Sequence, residues 1–179
     1  MGIPTLISTN PDSSDVASME FTSGIDGTYD QYMFVMTDMF PHADGENMRV
    51  TFSTDGGSNY GLTKTGTWFR ARHTEGGASG DLTYDTSYDL AQSTDAQNLD
   101  YSTGGDADQS YAGILHLFNP SNTTYVKHYY ARGNVSMAFV PVIMGPIIFG
   151  LSMWLDISTL LTILMLLISR CHQAILMAL

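Results

Sequence analysis

The amino-acid sequence predicts an all-β, jelly-roll-like antiparallel sandwich, and three features indicate this fold class. Apolar and polar residues alternate with a period of two in several short runs, most clearly in Asp30–Phe40, Asn47–Ser53 and Thr65–His73. Clusters of Gly, Asn and Asp, such as Asp55-Gly56-Gly57, separate these runs as hairpin turns do. The 179 residues also include 17 Gly, 10 Tyr and 8 Phe, a composition typical of a β-protein with many turns.

The alternating runs predict about seven strands between residues 19 and 132. Within Asn47–Ser53 the alternation predicts that Met48, Val50 and Phe52 point inward and that Thr51 points outward. One or two further short strands are expected in the long polar stretch 74–110. The other predicted strands are Met19–Thr22, Asp30–Phe40, Thr65–His73, Tyr111–Phe118 and Thr124–Arg132.

Composition divides the chain into three parts. Residues 1–18 are polar and contain Pro4 and Pro11, so we expect an extended N-terminal arm. Residues 19–137 are expected to form the sandwich domain. Residues 138–179 are strongly apolar and do not resemble the rest of the chain.

The apolar segment 138–179 allows two interpretations. Ala138–Leu155 has no charged residue and Ile157–Ser169 is rich in Leu, Ile and Met, so the segment could be a helical membrane anchor. The second interpretation, which we favour, is a slip of the reading frame between Arg132 and Trp154. With common codons, the displaced frame converts residues 155–178 into a polar, Asn- and Gly-rich sequence similar in style to residues 19–132.

The charge distribution argues against nucleic-acid binding. The chain has 18 acidic and 7 basic residues and a net charge of −11, which repels a phosphate backbone. The basic residues are scattered and form no basic stripe. A single cysteine, Cys171, excludes an internal disulfide and a cysteine-based metal site.

Several short motifs occur in a fixed order between residues 19 and 132. They are Phe21–Asp30, Phe52–Ser58, Phe69–Ala71, Asp89–Ala91, His116–Ser121 and Tyr125–His128, followed by Ala131 and Arg132. Together they resemble small virion structural proteins of marine tailed phages, including phages of cyanobacteria. The resemblance implies a β-sandwich in a phage particle, as a tail, fibre or capsid-associated protein with other virion proteins as partners, and it implies no catalytic residues. Members of this family commonly end in strands that the displaced reading frame would supply.

Two acidic loops are candidate metal sites. Asp44 and Glu46 lie in one Gly-containing turn, and Asp106 and Asp108 lie in another. Hard oxygen ligands of this kind bind Ca²⁺. Neither turn has the full spacing of an EF-hand loop, so we interpret these residues as solvated turn acids and expect no cofactor.

Two histidines provide a weaker metal hypothesis. His116 and His128 lie on strands that we expect to be neighbours, where their side chains could face each other. A zinc site would need at least one more protein ligand, and the sequence does not identify it.

Aromatic residues in the central part of the chain suggest a platform for sugar rings. Such a platform would consist of Trp68, Tyr84, Tyr88 and Tyr101, with Tyr111 beside them. Exposed aromatic faces can stack on a sugar while their polar edges form hydrogen bonds. The alternative, which we favour, is that these rings are covered by the core and by a long loop.

The function predicted from the sequence is structural and non-enzymatic. The chain contains no nucleophile elbow, phosphate-binding loop or dinucleotide fingerprint, and its acidic residues cluster in turns rather than at strand centres. We expect a virion component that acts in assembly or surface presentation. The alternatives are a carbohydrate-binding module for host attachment and a β-domain with a C-terminal membrane anchor. A homo-oligomer is plausible because the edges of a small sandwich need cover.

Overall fold

A computed structural model describes residues 3–137, 142–148, 151–153 and 162–179. It confirms the predicted all-β antiparallel sandwich. One 3-10 turn, Thr86–Tyr88, is the only helical element within the described residues. The strands are β1 (Thr5–Phe21), β2 (Gln31–Pro41), β3 (Arg49–Ser53), β4 (Lys64–Gly66), β5 (Phe69–Thr74), β6 (Gly80–Tyr84), β7 (Leu90–Ser93), β8 (Gln97–Asn98), β9 (Tyr111–Phe118), β10 (Lys127–Ser136), β11 (Val142–Ile148), β12 (Leu151–Met153) and β13 (Thr162–Ala178).

The described strands form one hydrogen-bonded sheet with the order β6-β5-β11-β10-β9-β2-β13-β3-β8. Strand β1 pairs with β13, and β12 pairs with both β10 and β4. Strand β7 adds to β4. In two places, a pair of strands binds successive parts of one long strand. Strands β2 and β3 both pair with β13, and β11 and β12 both pair with β10.

Alternating burial along β2 places one side of the sheet in the core. Tyr32, Phe34 and Met36 are each at most 1% exposed, whereas Met33 and Val35 between them are half-buried. Successive side chains of a strand point to opposite faces, so this pattern distinguishes an inner from an outer face. The period of two on which the sequence-based prediction depended is therefore present in the structure.

The sheet folds over itself to enclose this core. Phe52 of β3 and Tyr129 of β10 have ring centroids 4.8 Å apart, although β13, β2 and β9 separate these strands in the sheet order. Phe21 of β1 likewise meets Phe34 of β2 edge to face at 5.5 Å. Contacts between strands that are not sheet neighbours require two packed layers, as in a sandwich.

The N-terminal segment forms more structure than an extended arm. Strand β1 pairs with β13 along Thr5–Phe21 and crosses the boundary predicted between residues 18 and 19. Pro11 lies within it, opposite Gln173. Proline cannot donate to a sheet ladder and is tolerated on an edge strand. The sequence therefore did not predict β1, because the segment is polar and contains proline. The described pairings of β1 are all with β13.

The described parts of the apolar segment are strands, so the helical alternative does not apply to them. Ala174, Leu176 and Ala178 of β13 are each 0% exposed and contribute to the core. No helix within the described residues is long and apolar enough to cross a membrane. Residues 138–141, 149–150 and 154–161 lie outside the described part of the chain. The reading-frame slip stays a prediction, which the nucleotide sequence of the gene would decide.

One predicted side-chain orientation is wrong. Thr51 was expected to point outward from β3, but it is only 3% exposed. Its hydroxyl donates to the Tyr60 carbonyl at 2.7 Å, which compensates for its burial. Alternation alone missed this because a long loop covers the outer side of β3.

A pair of glycines makes room for Tyr111 inside the sandwich. Gly113 and Gly133 lie directly opposite each other on β9 and β10. The Tyr111 ring lies against both, since an added Cβ on either residue would overlap it. A Cβ on Gly113 would also lie 2.9 Å from the Arg132 carbonyl oxygen, which is a backbone atom.

We predict that Gly113→Ala destabilises the fold by about 1–3 kcal/mol, the usual cost of overpacking a filled core. Urea unfolding followed by circular dichroism measures this effect. The matched control is Gly61→Ala, because nothing lies within 4 Å of a Cβ at Gly61. Equal stability of the two variants would contradict the described packing of Tyr111.

Candidate functional site

Three of the predicted aromatic residues come together in the structure. The Trp68 ring lies 4.9 Å from that of Tyr88 and 6.1 Å from that of Tyr101, and the two tyrosines meet at 5.7 Å. Arg70 adds its guanidinium carbon 4.1 Å from the centroid of Tyr101, a cation–π arrangement. We call Trp68, Arg70, Tyr88 and Tyr101 the aromatic cluster.

The backbone around Trp68 explains how the cluster forms. Trp68 interrupts the single strand predicted over Thr65–His73, because it lies between β4 and β5. The backbone N–H of Trp68 donates to the Asp89 carboxylate at 2.8 Å, and the backbone carbonyl of Trp68 accepts from the Asp85 N–H at 3.0 Å. Asp85 also pairs with Arg70 at 3.3 Å. The strand is therefore interrupted where the 3-10 turn Thr86–Tyr88 places Tyr88 against the indole.

The arrangement of the cluster is that of a core rather than of an open platform. Trp68 is 0% exposed, and Tyr88 and Tyr101 are half-buried. Burial is the leading cause that raises the pKa of Tyr88. A sugar ring stacks on an exposed aromatic face, and Trp68 presents none.

Tyr84 and Tyr111 have different surroundings. Tyr84 lies on β6 with 56% of its surface exposed, and its hydroxyl donates to Asp89, a hydrogen bond that raises the pKa of Tyr84. Tyr111 is 1% exposed, and its hydroxyl has no hydrogen-bond partner among the described residues. Burial raises the pKa of Tyr111. Of the five predicted aromatics, Tyr84 is the most available to a ligand.

The two predicted acidic loops are neighbours in the fold. Gly105 N–H donates to the Asp44 carboxylate at 2.8 Å, and Glu46 forms a β-bridge with Thr103. Asp44, Asp106 and Asp108 are exposed and Glu46 is half-buried. We call these four residues the acidic knob. Among the described residues, no three His, Cys, Asp or Glu side chains are grouped closely enough to hold a metal ion.

The two histidines do not face each other across β9 and β10. His116 is opposite Tyr130, whereas His128 is opposite Phe118. The His116 ring instead stacks on Tyr130 at 5.1 Å with an interplanar angle of 8°, and its Nδ1 lies 2.7 Å from Gln31 Nε2. Burial lowers the pKa of His116. The register of the pairing, which the sequence did not reveal, accounts for this error.

Asp100 is a buried acid that the sequence did not indicate. It is 1% exposed, accepts a hydrogen bond from Met48 N–H at 2.8 Å and accepts another from the Thr103 hydroxyl. Burial raises the pKa of Asp100 to about 7, although both hydrogen bonds and the Arg49 charge act in the opposite direction. The space beside this carboxyl has no room for a water molecule. Asp100 therefore connects the loop before β3 to the loop after β8, and it does not face a ligand cavity.

Lys64 is a buried cation that the sequence also did not indicate. It is 0% exposed, and its ammonium donates to the Leu62 carbonyl at 2.7 Å and to the Thr94 carbonyl at 3.3 Å. A longer contact of 3.4 Å reaches the Thr51 hydroxyl. Burial lowers the pKa of Lys64 to about 8. This ammonium cross-links β4, β3 and the turn after β7.

Comparisons with protein-family models, with curated proteins and with solved structures gave no match. The likeness to phage virion proteins therefore rests on the sequence motifs alone.

We predict that Trp68→Ala lowers the free energy of unfolding by about 3–5 kcal/mol, as expected when a buried tryptophan is truncated. Tyr84→Ala is the control and should cost less than about 1 kcal/mol, because that side chain is mainly exposed. Thermal and urea unfolding measure both variants. A Trp68→Ala variant as stable as the unmutated chain would show that the indole is not part of the core.

A second prediction concerns pH. The pKa of Asp100 is raised in the folded state, so the folded state holds a proton that the unfolded chain releases near its ordinary value of 3.8. The stabilising contribution of Asp100 to the free energy of unfolding is therefore complete below about pH 4 and is lost as the pH rises towards 7. We expect Asp100→Asn to reduce the fall of the urea midpoint between these pH values. An unchanged slope in this variant would contradict the assignment.

Proposed function

We propose that this chain is a non-enzymatic structural component of a tailed-phage virion, acting in assembly or surface presentation. The observation that carries the proposal is the ordered set of short motifs between residues 19 and 132. Their likeness to small virion structural proteins spans most of the sandwich. The roles of the motif residues in the fold give further support.

The first motif, Phe21–Asp30, forms the turn that leads into β2. The Asp26 carboxylate accepts hydrogen bonds from Thr28 N–H at 2.8 Å and from the Tyr32 hydroxyl at 3.0 Å. These bonds, with the Thr28 backbone bond as the largest cause, lower the pKa of Asp26. Ile25 beside it is 1% exposed and anchors the turn in the core.

The motifs His116–Ser121 and Tyr125–His128 span the end of β9, most of the turn that follows it and the start of β10. Asn119 has a φ of 45°, and its N–H donates to the Asp30 carbonyl at 2.6 Å. The Lys127 ammonium donates to the carbonyls of Asn122 and Tyr125. Asparagine tolerates this left-handed conformation better than most residues, which fits its position in the motif.

These motif residues stabilise turns and connect strands. Such roles are expected in a structural protein, whose function depends on a stable fold. A structural subunit needs a stable scaffold that presents the same surface in every copy. The proposal therefore joins the family resemblance to an architectural use of the residues that carry it.

The two alternative functions receive less support. Glycan binding depended on exposed rings, and the burial of Trp68 leaves Tyr84 as the one largely exposed member of the predicted set. A C-terminal membrane anchor depended on an apolar helix, and the described parts of the apolar segment are strands. The virion role is therefore the function that we propose.

We predict that mass spectrometry of purified particles of the encoding phage detects peptides from residues 19–132 at a constant ratio to the capsid protein. A phage replication protein serves as the control for carry-over from the lysate. The same spectra would reveal which reading frame supplies the residues after Arg132. Abundant peptides in infected cells but none in purified particles would overturn the proposal.

A further inference from the structure

The outer face of β2, β9 and β10 is apolar and aromatic. It consists of the side chains that alternate with the core residues of these strands, and we call this surface the outer face. In a strand buried on one side only, these positions are normally polar. The members that give it this character are Met33, Val35, Ile114, His116, Phe118 and Tyr130, which are half-buried or exposed.

The charge of the outer face is opposite to that of the whole chain. The outward positions within Gln31–Thr37, Ala112–Phe118 and His128–Asn134 include no acidic residue, although the net charge is −11. The one acid of β2, the exposed Asp38, lies just beyond this range, at a bulge of the strand. Arg132 is exposed there between its register neighbours Ile114 and Ile148. No ion pair holds Arg132 within the part of the chain that the structure describes.

A concavity of about 400 Å³ opens beside Arg132. Val35, Ala112 and Ile114 form its apolar lining, and Arg132 and Asn134 provide hydrogen-bond donors at one side. This combination fits a carboxylate-bearing side chain or loop, because a guanidinium binds a carboxylate with two parallel hydrogen bonds.

The chain itself carries a matching partner surface. The acidic knob brings together Asp44, Glu46, Asp106 and Asp108 from two loops that are joined through Gly105 N–H. Asp106 and Asp108 are exposed at the tip of the second loop. The knob and the outer face are formed by different residues, and Asp106 and Asp108 are exposed, so the acids of one copy can approach Arg132 of another copy.

We propose that copies of this chain associate head to tail, with the acidic knob of one copy docked on the outer face of the next beside Arg132. When one copy contributes only its knob and the next copy contributes only its outer face, the interface is heterologous and leads to a ring or an open filament rather than a twofold dimer. The apolar side chains supply burial, and the opposite charges fix the orientation. The inference does not depend on the virion role.

Light scattering coupled to gel filtration, with the full chain, tests the contact by charge reversal. The unmutated chain should show a mass that rises with protein concentration and falls with added salt, because salt screens exposed charges. Arg132→Glu alone and the double variant Asp106→Lys with Asp108→Lys should each weaken association about tenfold or more, since each makes a like-charge contact. Mixing the two variants should restore association, because each retains the surface that the other lacks.

The control variant, Thr123→Glu with Thr124→Glu, adds two negative charges at exposed positions in the turn between β9 and β10, at the opposite end of these strands from Ala112 and Asn134, and should associate as the unmutated chain does. Circular dichroism should show that all variants remain folded. A monomeric unmutated chain at every soluble concentration would overturn the proposal. So would a mass that stops at that of a dimer, the result expected of a twofold interface, or two weakened variants that stay apart when mixed.

Discussion

The fold depends most on the pairing of β13 with three other strands. One edge of β13 binds β1 along almost its whole length, and the other edge binds β2 and β3 in succession. These pairings join the first and last described strands of the chain. Closing such long loops costs entropy before any contact compensates for it, so a sheet of this kind is expected to fold slowly. Without β13, the edges of β1, β2 and β3 would lose the partner that links them, and Phe21 and Phe52 would lose their alignment in the core.

The interior also contains ionisable groups at which the strands and loops are tied together. Asp100 binds the backbone at Met48, and Lys64 joins the carbonyls of Leu62 and Thr94. A buried charge is costly unless hydrogen bonds replace its water, and both groups shift their pKa towards the neutral form. Perturbed pKa values often mark active sites, but they also arise in structural networks. The contacts of Asp100 and Lys64 are mainly with backbone groups of adjoining segments, which favours the structural interpretation for both.

The sequence predicted the fold class and the central strands because these depend on local alternation. Strand β9 has the bounds predicted for it, and Met48, Val50 and Phe52 are buried as predicted. The errors arise where tertiary contacts overrule the local pattern. Strand β1 is polar and includes Pro11, and only its pairing with β13 makes it a strand. The candidate site was harder still, because the placement of His116 opposite Tyr130 depends on a register that a single sequence does not encode visibly.

The position of the charges gives a physical reason for the separation of surfaces in this molecule. The acidic residues that the sequence placed in turns are needed there, because short polar side chains accept hydrogen bonds from turn backbone, as Asp26 and Asp55 do. This placement leaves the outward positions of Gln31–Thr37, β9 and β10 without acids, and besides Arg132 the charged or titratable side chains there are two histidines and a tyrosine. A highly acidic protein would ordinarily repel its own copies. In the proposed head-to-tail contact, the acids of the knob complement outward positions that carry none, so a net charge of −11 would not by itself oppose that contact.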